Sequence, residues 1–255
     1  FTASGLVNGD SVANVTLTSS GSAATATVAG GPYTITASSA LGTGLLNYVI
    51  GYVSGLLTVN PAPVNVTALG GNSTYGTSPS NPGLSATGLQ NGESVNVLIG
   101  LSNSFAITNS SNAGIYTLGV TGSLSNTNYV VAGTSNGTWA VAPASVSVTA
   151  LGGSSTFGSS PSNPGLSATG LQNGESVNVL TGLSNSFGVT STSAAGNYML
   201  SVAGSLANPN YVVAGTNTGI WAVTPLRGSL TDGASPPIPG LSVQAPPRGG
   251  GTGVL

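Results

Sequence analysis

The sequence predicts an all-β chain made of tandem modules of about 82 residues, β-sandwich-like or alternatively β-grasp-like. Three observations carry this. Residues 62–143 and 144–225 align without a gap, with about three quarters of positions identical. Apolar residues alternate with polar ones at a period of two, as in Val64, Val66 and Ala68 against Asn65 and Thr67, which gives a sheet one packed and one wet face. Turn formers such as Asn81-Pro82-Gly83 and Asn91-Gly92 separate the short apolar stretches, and no window carries a helical period.

In the second module the strand candidates are Val64 to Ala68, Ser73 to Tyr75, Leu84 to Gly88, Val95 to Ile99, Ser104 to Thr108, Gly114 to Val120, Asn128 to Ala132 and Thr138 to Ala142. So many short strands in so few residues point to two packed layers around a small core. A β-grasp-like chain would need Gly88 to Ser94 as its helical turn. Asn91-Gly92 is expected to take the paired left-handed angles of a tight turn. Leu69-Gly70-Gly71 is read as a turn, and Glu93 and Glu175 as solvent-facing turn carboxylates. Trp139 and Trp221 sit in alternating strands, which favours packing over sugar stacking.

Four segments are expected: a truncated module over 1–61, full modules over 62–143 and 144–225, and a Pro/Gly-rich tail or linker over 226–255. The first copy sets Gly5-Leu6-Val7-Asn8-Gly9-Asp10-Ser11 where the second has Gly88-Leu89-Gln90-Asn91-Gly92-Glu93-Ser94, and Asn47-Tyr48-Val49 where the second has Asn128-Tyr129-Val130. It lacks the opening strand pair that corresponds to residues 62–82, so an unpaired edge is expected there, and the chain reads as a piece of something longer. Between full modules, the strand Thr138 to Ala142 leads through Pro143 and Ala144 straight into Val146 and Val148 with almost no linker, so neighbours are expected to be held in a nearly fixed relation.

Composition narrows the function. Two basic residues (Arg227, Arg248) and four acidic ones (Asp10, Glu93, Glu175, Asp232) are the whole charge inventory, with no His, Cys or Lys. A Ser or Thr nucleophile would have no His or Lys to activate it, thiol chemistry and His/Cys zinc sites are excluded, and no Asp-rich loop stands ready for calcium. We therefore assign no catalytic, cofactor-binding or metal-binding residue and no cofactor, and expect a chain that is not an enzyme. The arginines are too sparse for a nucleic-acid surface. Apolar runs are far shorter than the roughly 20 residues that span a bilayer, so no membrane insertion is expected. Absence of Cys suits bacterial export better than a disulfide-stapled domain.

Taken together, Tyr75-Gly76 ahead of Asn81-Pro82, then Gly88 to Glu93, Ala113-Gly114-Ile115-Tyr116, Asn128-Tyr129 and the closing strand before Pro143 resemble the MBG-type repeats of large bacterial surface proteins. Such repeats are common in exported proteins similar to filamentous haemagglutinins. The resemblance covers residues 1 to about 225. It implies a secreted or cell-surface protein, associated with the bacterial outer membrane, with an adhesin-like or stalk role and no catalytic residues. The leading expectation is a stalk or spacer within an adhesin. The alternative is repeated weak binding of a host or cell-surface glycan or protein, and homotypic association between nearly uncharged surfaces is a third.

Overall fold

The computed structural model describes residues 1–228. Residues 229–255, most of the expected tail, with Asp232 and Arg248, lie outside them. The described chain is strand, turn and a few one-turn 3-10 helices, as the repeat pattern predicts.

The second module shows the design. Its first sheet has β4 (Ala62–Ala68) at the centre, parallel to β10 (Tyr129–Ser135) and antiparallel to β6 (Leu84–Thr87). Its second has β11 (Gly137–Ala142) at the centre, parallel to β5 (Gly71–Thr74) and antiparallel to β8 (Gly114–Leu118). A small ladder joins β7 (Leu101–Asn103) to β9 (Val120–Gly122). The opening and closing strands of the module thus run side by side in parallel, first in one sheet and then in the other. That pairing requires the whole intervening chain as its connection, so no local signal encodes it.

Crossing from sheet to sheet explains Leu69-Gly70-Gly71. These residues do not reverse the chain; they carry β4 into β5. Gly71 lies under the indole of Trp139, and a Cβ there would stand 2.6 Å from a ring carbon. Only a residue without a side chain lets the strand and the ring meet so closely. Trp139 is 6% exposed, meets Phe105 edge-on at 4.9 Å and donates from Nε1 to Ser73 Oγ at 2.9 Å. It is a core residue, as its alternation predicts, and so is Trp221 in the third module.

Asn103 holds the corner together. Its Nδ2 donates to the carbonyls of Leu69 (3.0 Å) and Gly83 (2.8 Å), so one buried side chain pins the sheet switch to the Asn-Pro-Gly turn. Asn185 repeats this at Leu151 and Gly165. In both, Oδ1 is buried without a partner among the described residues. Two carbonyls facing the same atom fix it as nitrogen, since a flipped amide would set oxygen against oxygen.

The third module repeats each element: β12 (Ala144–Ala150), β13 (Gly153–Thr156), β14 (Leu166–Thr169), β15 (Leu183–Asn185), β16 (Gly196–Leu200), β17 (Val202–Gly204), β18 (Tyr211–Asn217) and β19 (Gly219–Thr224), with the same pairings.

Two strand expectations are corrected. Val95 to Ile99 is not a strand: Val95–Val97 forms a 3-10 turn. Its valines alternate, but no neighbouring strand is there to pair with, and a 3-10 turn sets Val95 and Leu98 on one side, facing the core. Ser104 to Thr108 is not in a ladder either, the strand lying just upstream at β7, although Phe105 and Ile107 still pack into the core.

The first module has β1 (Ser11–Thr18), β2 (Tyr33–Thr43) and β3 (Gly55–Leu57) in one sheet, all antiparallel. Tyr33 pairs with Leu57 in the register by which Tyr116 pairs with Trp139. No residue of 1–61 is buried. Residues 49–54, which correspond to β10, carry no strand, with Val49 104% and Val53 90% exposed. In the second module that stretch is strand because β4 lies beside it, so the missing opening pair removes a second strand as well.

Candidate functional site at the module joints

The recurring polar residues converge where one module meets the next. In each module the loop that opens the recurring segment makes a tight turn: Asn8-Gly9, Asn91-Gly92 and Asn173-Gly174 all have positive φ, from 53° to 76°, as the Asn-Gly pairs predict. The turn aims a carboxylate at a tyrosine. Tyr48 donates to Asp10 Oδ2 at 3.0 Å, Tyr129 donates to Glu93, and Tyr211 donates to Glu175. Each phenol oxygen also accepts a backbone N–H from the same loop, of Val7, Gln90 and Gln172 respectively. Both glutamates sit on turns as expected and both accept from a tyrosine, but only Glu93 faces solvent as expected; Glu175 is half-buried, which corrects that expectation. Two-residue turns are legible in a sequence, whereas the tyrosine 36 residues further on is brought in only by the fold.

At the joint between the second and third modules a residue from the preceding module joins this pair. Tyr75, 5% exposed, meets Tyr211 edge-on with ring centroids 5.5 Å apart, and its hydroxyl donates to Glu175 Oε1 at 2.7 Å. One carboxylate thus accepts two phenols from two modules. Gly76 follows with φ 87°, and a Cβ there would lie 2.4 Å from the Gln172 side chain, so the glycine lets the two loops close. Asn210 Oδ1 accepts from Ala113 N at 2.8 Å, Asn210 Nδ2 donates to Asn112 Oδ1 at 2.9 Å, and Asn173 Nδ2 donates to the Asn109 carbonyl at 3.2 Å.

The apolar packing is continuous through this joint. One buried cluster takes Ala68, Tyr75, Ile107, Leu118, Trp139 and Val141 from one module, and Ala144, Val146, Val148, Leu180 and Tyr211 from the next. Pro143 spans the join while the strands on either side belong to different sheets.

The joint between the first and second modules repeats the amide part alone. Val28 N donates to Asn128 Oδ1 at 2.9 Å and Asn91 Nδ2 donates to the Ala24 carbonyl at 3.2 Å. Asn128 and Asn91 correspond to Asn210 and Asn173. No ring arrives, because the first module lacks the strand that would carry it. Glu93 is accordingly exposed, while Glu175 is half-buried under Tyr75.

Charge follows from this geometry. A carboxylate acceptor favours the neutral phenol, and burial does the same. The hydrogen bond to Glu175 holds Tyr75 above the ordinary phenol range, and the bond to Glu93 does so for Tyr129. Burial, then the bond to Glu175, pushes Tyr211 up to about 12. These are structural phenols rather than proton donors poised near neutrality. Among the described residues no group of three or more His, Cys, Asp or Glu side chains gathers to hold a metal ion, and no helix is long and apolar enough to cross a membrane.

The fold and its joints define a tandem array of all-β modules that directs its recurring polar side chains at the contact between neighbours. The profile of the MBG domain (YGX type) matches residues 1–58 and 146–221, just over half of the chain, and the chain belongs to that family. The matched spans fall in the first and third copies, and the second is the near-duplicate of the third. No curated protein matches the chain.

Proposed function

We propose that the chain is a stalk or spacer within a bacterial surface or secreted adhesin of the filamentous-haemagglutinin-like kind, and that it is not an enzyme. The observation that carries this reading is the single buried cluster shared by two modules across a one-residue connection. A spacer must resist bending at its joints, and a joint with its own core does so. The segments act as units over 1–61, 62–143 and 144–225, with 226–255 as tail or linker. The protein is secreted or held at the cell surface, associated with the outer membrane. Its partner, a glycan or protein of another cell, is met by a region other than these modules. Burial of both tryptophans supports that division, since a sugar-stacking platform needs an exposed ring.

Small-angle scattering of the chain tests the reading. A stalk gives an elongated distance distribution that is unchanged by added salt, since no ion pair holds the joint. Scattering that fits only a broad ensemble of bent shapes would overturn it. A glycan array probed with the same chain should stay at background.

A further inference from the structure

We propose that each full module is a shear lock: when the chain is drawn out by its ends, the load crosses the module through its parallel strand pairs, and the residues between those strands carry none of it. The proposal rests on the stalk reading only for the source of tension, since the lock belongs to a single module.

The path of the load is set by which strands carry the ends. Leu69 and Gly70 join β4 to β5, and Asn136 joins β10 to β11, so the module has an entry limb over 62–74 and an exit limb over 129–142. The limbs lie side by side and parallel along their length, with Ala62 beside Tyr129, Thr67 beside Ser135, Gly71 beside Trp139 and Thr74 beside Ala142. Both extremities are bonded: Ala62 N donates to the Asn128 carbonyl at 2.9 Å and Tyr75 N to the Ala142 carbonyl at 2.8 Å. Pulling Ala62 backward and Ala142 forward slides one limb along the other. The evenly spaced rungs of a parallel ladder are then stretched together instead of in turn.

The bend where the limbs change sheets would be the weak place, and it is closed. A Cβ on Gly137 would stand 2.3 Å from the Ala68 carbonyl oxygen, and one on Gly70 would stand 2.1 Å from that of Thr138, so glycine on both limbs keeps them in contact through the bend. The third module repeats the arrangement. Ala144 lies beside Tyr211 and Thr156 beside Thr224, Ala144 N donates to the Asn210 carbonyl at 2.9 Å, and Phe157 N donates to that of Thr224 at 2.9 Å. Only Pro143 intervenes between the last rung of one lock, at Ala142, and the first of the next, at Ala144, so no loose chain separates them. β6 and β8 bond to the outer sides of the limbs and stand outside the path.

The chain has no Cys, so added thiols fix the direction of pull in a single-molecule force measurement. Cysteines appended at the two ends of the full chain draw both full modules along their limbs. Pro61→Cys with Thr127→Cys, both at exposed positions and at the same end of the limb pair, draws β4 and β10 apart sideways, so the same rungs open in turn. Opening a module end to end frees its 82 residues and lengthens the chain by ~240 Å, an extended length of ~290 Å less ~45 Å for the folded limb. Two such steps are expected. At one pulling speed, since forced opening is governed by the unfolding rate, they should come at about three times the force that opens the second module sideways, the rungs at the ends of a sheared ladder carrying more than those in its middle. Equal forces in the two directions, or end-to-end extension without the steps, would overturn the proposal. Equal forces with elongated scattering leave the stalk reading standing, and the threefold difference with a bent ensemble leaves the lock standing without it.

Discussion

Tyr75 and Phe157 hold equivalent positions in near-identical modules, and their surroundings differ because, among the described residues, a following module packs against Tyr75 alone. Truncation should expose the difference. Tyr75→Ala empties a site with one side in each module and should cost about 3 kcal/mol by chemical denaturation, in the range for a buried aromatic. Phe157→Ala should cost under about 1 kcal/mol, as for an exposed residue. The phenols also give a pH signature. Tyr211 stays protonated up to about 12 when folded and ionises near 10.0 when unfolded. Between those values the unfolded chain binds fewer protons, so the stabilisation is complete below pH 10.0 and is lost as pH rises toward 12. Melting temperature followed from pH 8 upward should fall across that window, and Tyr211→Phe should flatten the fall. The Asn-Gly turns and the tryptophan core positions were legible in the sequence at this scale. The Tyr-carboxylate pairs were not, because loop and tyrosine lie far apart in the chain and nothing local marks them as partners.

At the scale of elements, the account turns on what each strand finds beside it. Residues 49–54 and β10 read alike in sequence, and only β10 has a partner to bond. Hydrogen exchange should find the amide of Val130, which faces β4, protected and those of Val49, Ile50 and Gly51 exchanging near the unfolded rate. The same reasoning explains where alternation misled. Val95 and Val97 have a strand's spacing without a strand's neighbour, whereas the corresponding stretch of the first module, opening at Ser11-Val12, does form β1 against β2. The Asn103 clamp offers a second check. Asn103→Ala removes the side-chain hydrogen bonds to the Leu69 and Gly83 carbonyls, of which Gly83's keeps the Leu69 N–H, should cost about 1 kcal/mol or more, and should be matched by Asn185→Ala because the corner is the same in both modules. Repeat length, strand content and most strand positions follow from patterns within a few residues. Parallel pairing of a module's first and last strands does not, since it joins residues more than 60 apart.

For the whole molecule, the sequence pointed to rigidity through the single Pro143 between modules, and a short linker alone restricts motion without fixing an angle. The fixed relation comes from what the linker brings together: a shared apolar cluster, Tyr75 on Tyr211, and three amide contacts around them. The first joint has two of those amide contacts and no ring, so it should be the softer hinge of the two. The most direct measurement of the central claim is nuclear spin relaxation of backbone amides in the second and third modules. A joint with a core of its own predicts one rotational diffusion tensor for both, splitting into two in Tyr75→Ala; separate tensors for the two modules in the unaltered chain would contradict it.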